Sequence, residues 1–146
     1  MTHDFVYPIV LTPAEEGGFV VTFPDLPEAI TQGDDAAEAM AEAADALDEA
    51  IAGRIRRGDP IPAPTPAAAG QPAVPVPAQT AAKASLFLAL REAGLTKSQL
   101  AERLGCDEKE VRRLLDPRHA SRLPRLQAAL AALGKTIAIR LVDEAA

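Results

Sequence analysis

The chain has no tryptophan, one tyrosine, four phenylalanines, two histidines and one cysteine among 146 residues. Each scarcity closes a class of proteins. With so few aromatics, any core must be aliphatic. A single cysteine, Cys106, excludes an internal disulfide framework and fits a reducing cytoplasm. That cysteine with His3 and His119 does not make a metal site, so neither metal nor cofactor is expected. The opening Met-Thr-His-Asp-Phe-Val-Tyr-Pro has no basic segment and no long apolar run, so no secretory signal is expected. The longest uncharged run, residues 60–82, is broken by prolines and cannot be a membrane helix. A cytoplasmic protein with no membrane partner is the expectation.

What is present is ordinary globular composition, 48% hydrophobic and 25% charged. The charge is unevenly placed. Residues 1–70 hold 13 acidic and 3 basic side chains, a net of −10. Residues 83–146 hold 12 basic and 8 acidic, a net of +4. Two halves of opposite sign imply two different partners.

The acidic half begins with β-forming runs. "FVYPIVL" (5–11) and "GFVVTF" (18–23) flank "TPAEEGG", a hairpin loop. Alternation puts Phe5, Tyr7, Ile9 and Leu11 on one face, and Phe19, Val21 and Phe23 on one face of the second strand. A third strand is expected at 29–32, broken by Gly33. Asp35 and Glu38 have capping-box spacing. Ala36, Met40, Ala43, Ala44, Leu47, Ile51 and Ile55 then follow a helical period to Gly58. Seven of the 13 prolines lie from Pro60 to Pro77, so 59–80 reads as extended linker. "AVPVP" (73–77) could add an edge strand with Val74 and Val76 inward, although Pro75 weakens it. The expected division is 1–58, possibly to 78, then the linker, then 81–146.

The basic half is helical. "KASLFLALREAG" stops at Gly94. "TKSQ" (96–99) and "DEKE" (107–110) are capping boxes either side of Gly105, defining two short helices and a tight turn. Pro117 ends the second, and Pro124 starts another that runs to Gly134. "TIAIRLV" (136–142) reads as a closing β-strand. The overall expectation is an α+β chain: a small antiparallel sheet with one packed helix, followed by an all-α domain with a C-terminal strand.

The two short helices have the outline of a helix-turn-helix. Leu100, Ala101 and Leu104 face inward from the first, and Val111, Leu114 and Leu115 from the second. Glu108, Lys109, Arg112 and Arg113 remain outward. Such a face suits a major groove, where Lys and Arg meet guanine and Glu meets cytosine. Lys109 and Arg112 are expected at base edges. Thr96, Lys97 and Ser98 stand at a helix N-terminus suited to a phosphate, and Arg118, Ser121 and Arg122 lie on the next loop. One short recognition helix calls for a dimer, and a lone strand without a partner in its own half calls for pairing with a second copy. Ile137, Ile139 and Leu141 are therefore the expected dimer contacts.

Catalysis is not expected. A ribonuclease-H-like metal nuclease needs a carboxylate on its first strand, and "FVYPIVL" has none. Cys106 and His119 have no evident pairing partners for nucleophilic work. The remaining feature is "FPDLPEAITQGDD" (23–35). Its two prolines stiffen a loop that gathers Asp25, Glu28, Asp34 and Asp35. It reads both as a strand connection and as a negative surface for a basic partner.

"GGFVVTFPDLPEAITQGDDAAEAMAEAADAL" resembles the N-terminal signature of HicB antitoxins. "KASLFLALREAGLTKSQLAERLGCDEKEVRRLLDPRHASRLPRLQAALAALGK" resembles the helix-turn-helix extension that many of them carry. The two blocks cover most of the chain in the family's order. Glu28 departs from the glycine common after Pro-Asp-Leu-Pro. The resemblance implies a degenerate ribonuclease-H-like domain that binds and inhibits a HicA-type ribonuclease toxin. Phe23, Asp25, Leu26, Glu28, Asp34 and Asp35 are its expected contacts. It also implies operator binding and repression of the toxin–antitoxin operon. The alternative is a stand-alone regulator whose N-terminal domain senses a small molecule.

Overall fold

The computed structural model describes residues 3–143. The order is β1 (Val6–Pro8), β2 (Val10–Pro13), β3 (Phe19–Thr22), β4 (Ile30–Gly33), α1 (Ala36–Arg57), β5 (Ala73–Pro75), α2 (Ala78–Ala93), α3 (Lys97–Leu104), α4 (Glu108–Leu115) and α5 (Leu123–Ala132). The α+β class is as expected. Two compact units emerge: residues up to Arg54 with Pro60–Pro77, and Ile55–Asp59 with the chain from Ala78 onward.

The first β run is not one strand. β1 pairs antiparallel with β5, Tyr7 opposite Val74, while β2 pairs antiparallel with β3, Leu11 opposite Val21. Ile9 sits between them, fully buried, and donates its N–H to Pro72 O at 3.0 Å. A run that must pair with two partners changes neighbour partway, here just after a proline that has no N–H to donate. β3 pairs antiparallel with β4, Phe19 opposite Gly33. The expected alternation holds where it matters: Tyr7, Ile9, Val21 and Phe23 are buried.

α1 starts as its cap predicts, with Glu38 N–H donating to Asp35 Oδ1 at 2.8 Å. Ala39, Ala43, Leu47, Ile51 and Ile55 are its buried side. Ala36, expected inward, is exposed, and Ala39 takes the inner position. The reason lies in Gly33. A methyl group there would stand 2.3 Å from the Ala39 nitrogen, so the end of β4 and the first turn of α1 touch backbone to backbone. Only glycine permits that approach.

Residues 60–77 are extended, as their prolines dictate, but they are not a free linker. Tyr7 Oη donates to Pro62 O at 2.7 Å. Thr65 donates its N–H and its hydroxyl to the two Asp25 oxygens at 2.9 and 2.6 Å. Gln71 Nε2 reaches Ile9 O at 3.3 Å. Ile61, Val74 and Val76 are buried. The stretch is a strap that returns over its own unit and ends as the strand β5, after which α2 begins at Ala78.

The second unit is built on Leu86, Leu90, Leu100, Ala101, Val111, Leu114, Leu115, Leu126 and Leu130. Full burial of a leucine contributes about 1.5–3 kcal/mol, so this aliphatic interior can hold four short helices without aromatic help. Residues 136–142, expected as a strand, form none within the single chain. A strand exists only through ladder hydrogen bonds, and among the described residues of this unit no neighbouring strand offers them. Ile137 packs partly on the helical core, whereas Ile139 is 84% exposed and Leu141 96%.

Candidate functional site

α3 and α4 are two eight-residue helices joined by Gly105, Cys106 and Asp107. Thr96 forms the full capping box expected: its hydroxyl accepts from Gln99 N–H at 3.1 Å, and its own N–H donates to Gln99 Oε1 at 2.8 Å. Gly105 ends α3 at φ +66°, where a side chain would be strained. Asp107 caps α4 by accepting from Glu110 N–H at 2.9 Å. The second box is only half made. The Glu110 carboxylate turns instead to the Arg125 guanidinium of α5. That pairing ties α4 to a helix that sequence spacing does not connect with it.

The caps and the buried Val111, Leu114 and Leu115 leave Lys109, Arg112 and Arg113 exposed along α4. Arg112 pairs with Glu108 at 3.2 Å, one turn back. Glu108 also accepts from the Ser98 hydroxyl at 3.0 Å, which links the starts of the two helices. The Ser98 hydrogen bond, with Arg112, holds the Glu108 carboxyl below its usual value. Thr96, Lys97 and Ser98 are exposed at the start of α3, and Arg118 is exposed on the loop after α4. Eight of the ten residues expected to meet nucleic acid, Arg122 among them, are therefore exposed about α3, α4 and the next loop, while Glu108 is half-buried and screened by its partners.

Ser121 is different. Its N–H donates to Gln79 Oε1 at 2.7 Å, its carbonyl accepts from Gln79 Nε2 at 3.1 Å, and its hydroxyl accepts from Lys83 Nζ at 2.8 Å. Sequence reading missed Gln79, Lys83 and Arg125. The signal for Lys83 was present: it stands in helical phase with Leu86 and Leu90, on the side of α2 that is buried.

The loop 23–35 turns twice, through Leu26 N–H to Phe23 O at 3.1 Å and Ala29 N–H to Leu26 O at 2.9 Å. Phe23 and Leu26 point inward and are buried. Asp25, Glu28, Asp34 and Asp35 are exposed or nearly so. Three of these carboxylates also hold structure. Asp25 anchors the strap, Asp35 caps α1, and Glu28 receives Arg54 bidentately at 2.6 and 2.9 Å. Beneath the loop, burial pushes the Tyr7 phenol upward in pKa, with the Asp25 charge adding to it. Among the described residues no group of three or more His, Cys, Asp or Glu is placed to hold a metal ion, and no helix is long and apolar enough to cross a membrane.

Comparison with known proteins matches residues 6–85 to the family described as HicB_like antitoxin of bacterial toxin-antitoxin system. That span includes the strap and β5. The chain is 40% identical over 136 residues to Antitoxin HicB of Escherichia coli (strain K12), covering 93% of this chain and 99% of that one. It is 38% identical over 135 residues to Antitoxin HicB 1 of Photorhabdus laumondii, covering 92% and 86%. It is 36% identical over 126 residues to Antitoxin HicB of Pseudomonas fluorescens, covering 84% and 85%. With a family model over more than half its length and relatives matched nearly end to end, the chain belongs to the HicB antitoxins of bacterial toxin–antitoxin systems.

Proposed function

We propose that this chain binds and inhibits a HicA-type, RNA-cleaving toxin through its first unit. Its second unit binds operator DNA as a helix-turn-helix and represses the toxin–antitoxin operon. It acts in the cytoplasm, without catalysis of its own, as a homodimer or higher homo-oligomer. The observation that carries this reading is that charge divides with the two compact units: the first holds 12 acidic residues and 1 basic, the second 14 basic and 9 acidic.

A protein that cuts RNA presents a basic surface to a polyanion. An acidic unit opposes that surface, speeds encounter and excludes RNA. The loop 23–35 is its leading contact, with Asp25, Glu28, Asp34 and Asp35 outward and Phe23 and Leu26 holding the loop's shape from within. In the second unit, Lys109 and Arg112 reach base edges in the major groove, and Lys97 and Arg118 hold phosphates. Two copies place two such helices about 34 Å apart on successive half-sites. Ile137, Ile139 and Leu141 supply the contact, residues 136–142 pairing antiparallel with the same segment of a second copy.

Co-expression with the neighbouring gene tests the reading. A small basic protein should be retained at fixed stoichiometry, and the full chain should relieve its toxicity. Asp34→Lys is the cleanest probe of the loop, because Asp25, Glu28 and Asp35 also hold structure. It should slow association and leave DNA binding intact. Lys109→Ala or Arg112→Ala should cost about 1–3 kcal/mol on operator DNA and leave rescue intact. A chain that emerges alone, carrying a small ligand in its first unit, would return the sensor alternative.

A further inference from the structure

Lys83 has no exposed surface, yet it is a cation on the apolar side of α2. Its Nζ donates to the carbonyls of Arg113 at 2.9 Å and Leu114 at 3.0 Å, and to Ser121 Oγ at 2.8 Å. Those two carbonyls lie in the last turn of α4, where helix carbonyls lack the usual i+4 amide; Arg113 O takes the Asp116 N–H at 3.2 Å as well, and a positive charge there offsets the dipole. One turn earlier on α2, Gln79 makes its two-way bond to the Ser121 backbone. Two side chains of one helix thus grip both the end of α4 and the loop that follows it.

Stability alone is a poor reason for this arrangement. An apolar side chain of similar volume would fill the space without the desolvation cost of a buried ammonium. What the grip supplies is position. The loop it fixes carries Arg118 and Arg122, both exposed, and begins beside Arg113. Arg113, His119, Arg122 and Arg125 line one open groove of about 380 Å³, together with Asp107 and Glu110, and Ser121 stands in its wall.

We propose that Gln79 and Lys83 are positioning residues for the DNA backbone: they fix the end of α4 and the loop 116–122 so that Arg113, Arg118 and Arg122 meet phosphodiester groups. Ser121 then belongs to the scaffold of the interface and not to its contacts. The inference rests on the operator-binding reading above and adds residues that touch no DNA themselves.

The test uses the full chain and a labelled duplex from upstream of its own gene, titrated from about 50 to 200 mM salt. Each phosphate contact contributes about 0.9 to the slope of log affinity against log salt. Gln79 is exposed, so Gln79→Ala leaves the apolar core alone. It should flatten the slope by about one to two contacts while leaving the preference for this duplex over random DNA unchanged. Lys83→Met should flatten it at least as much. A variant that merely loses folded protein binds less at every salt concentration with the slope intact, and that result in Gln79→Ala overturns the proposal. If the unaltered chain binds no DNA, the operator reading falls first and the positioning role with it. If the unaltered chain binds steeply and both variants keep its slope, only the positioning role falls.

Discussion

Asp25 holds Thr65, forty residues away, whereas Thr96 holds Gln99, three residues away. The contrast runs through both units. The first closes through distant partners: β1 against β5, Ile9 against Pro72, Glu28 against Arg54. The second is built largely from caps and helical faces written in adjacent residues, with long-range grips added at Lys83 and Arg125. Long-range pairing fixes a surface only when the whole unit is folded. Local caps fix where each short helix begins and ends, while the shared apolar core holds them together. The acidic unit should therefore fail as a whole, and the basic unit by degrees.

The largest expected effect tests the first half of that statement. Gly33→Ala puts a methyl 2.3 Å from the Ala39 nitrogen, and backbone cannot step aside as a flexible side chain could. A loss of roughly 3 kcal/mol is expected, the upper range for overpacking. Amide resonances of β3, β4 and α1 should broaden together, while those of α3 and α4 keep their positions. Broadening confined to the Gly33 neighbourhood would break the comparison.

The next prediction concerns the buried cation of the second unit. Burial holds the Lys83 ammonium down to about 8, with Asp116 opposing the shift. In the unfolded chain the amine keeps a value near 10.5. Below pH 8 both states are protonated. Between 8 and 10.5 the unfolded chain holds a proton that the folded one has released, so stability should rise with pH across that window. Subtracting the profile of Lys83→Met isolates the effect from other titrating groups. A flat difference would mean that the three acceptors keep the ammonium charged throughout.

Thr96→Ala should cost about 1 kcal/mol, the usual worth of an N-cap. Helix α3 should fray at its first turn, seen as faster amide exchange at Ser98 and Gln99, with α5 and the first unit unaffected. Exchange that accelerates across α5 as well would show the second unit to be as cooperative as the first.

The same contrast explains what was legible in the sequence. Thr96, Asp107, Gly105 and Pro124 announce their helices because a cap or breaker acts within four residues. The apolar periods gave the faces of α1, α3 and α4 with small errors, such as Ala36 for Ala39. What was not legible required partners from elsewhere in the chain. Residues 60–77 have a linker's composition, and distant partners such as β1, Ile9, Asp25 and Arg54 make them a strap. "FVYPIVL" reads as one strand by its β-forming composition, and Pro8, the one break in it, does not say which neighbours its halves will take. The second capping box failed because Arg125 outcompetes a backbone amide for Glu110. The exposed surface followed the same rule: Lys109 and Arg112 stand outward on α4 as the helical face predicts, while Gln79 and Lys83 bond to a loop about forty residues on.

The smallest effect sharpens the comparison most. Glu28 and Arg54 form a bidentate pair, and Arg54 also donates to Pro60 O at 2.7 Å. Its two short contacts give it near-ideal fork geometry. Its side chains are nevertheless 36% and 19% exposed, so water and salt screen it. Glu28→Gln keeps the shape and one acceptor while removing a charge. It also relieves repulsion in a half with a net of −10, and the two effects oppose each other. A stability change of about 0.5 kcal/mol or less is expected, as for other solvent-screened pairs. Urea unfolding at low and high salt measures it, and the difference should shrink as salt rises. Association with the proposed basic partner should slow by a factor that also shrinks with salt, because a steering charge has been removed. A stability loss of several kcal/mol, unchanged by salt, would mean that Arg54 needs this carboxylate as a buried partner. Arg54, the loop 23–35 and the strap would then form one rigid block, and the surface proposed to meet the toxin would depend on Glu28 for its shape before its charge.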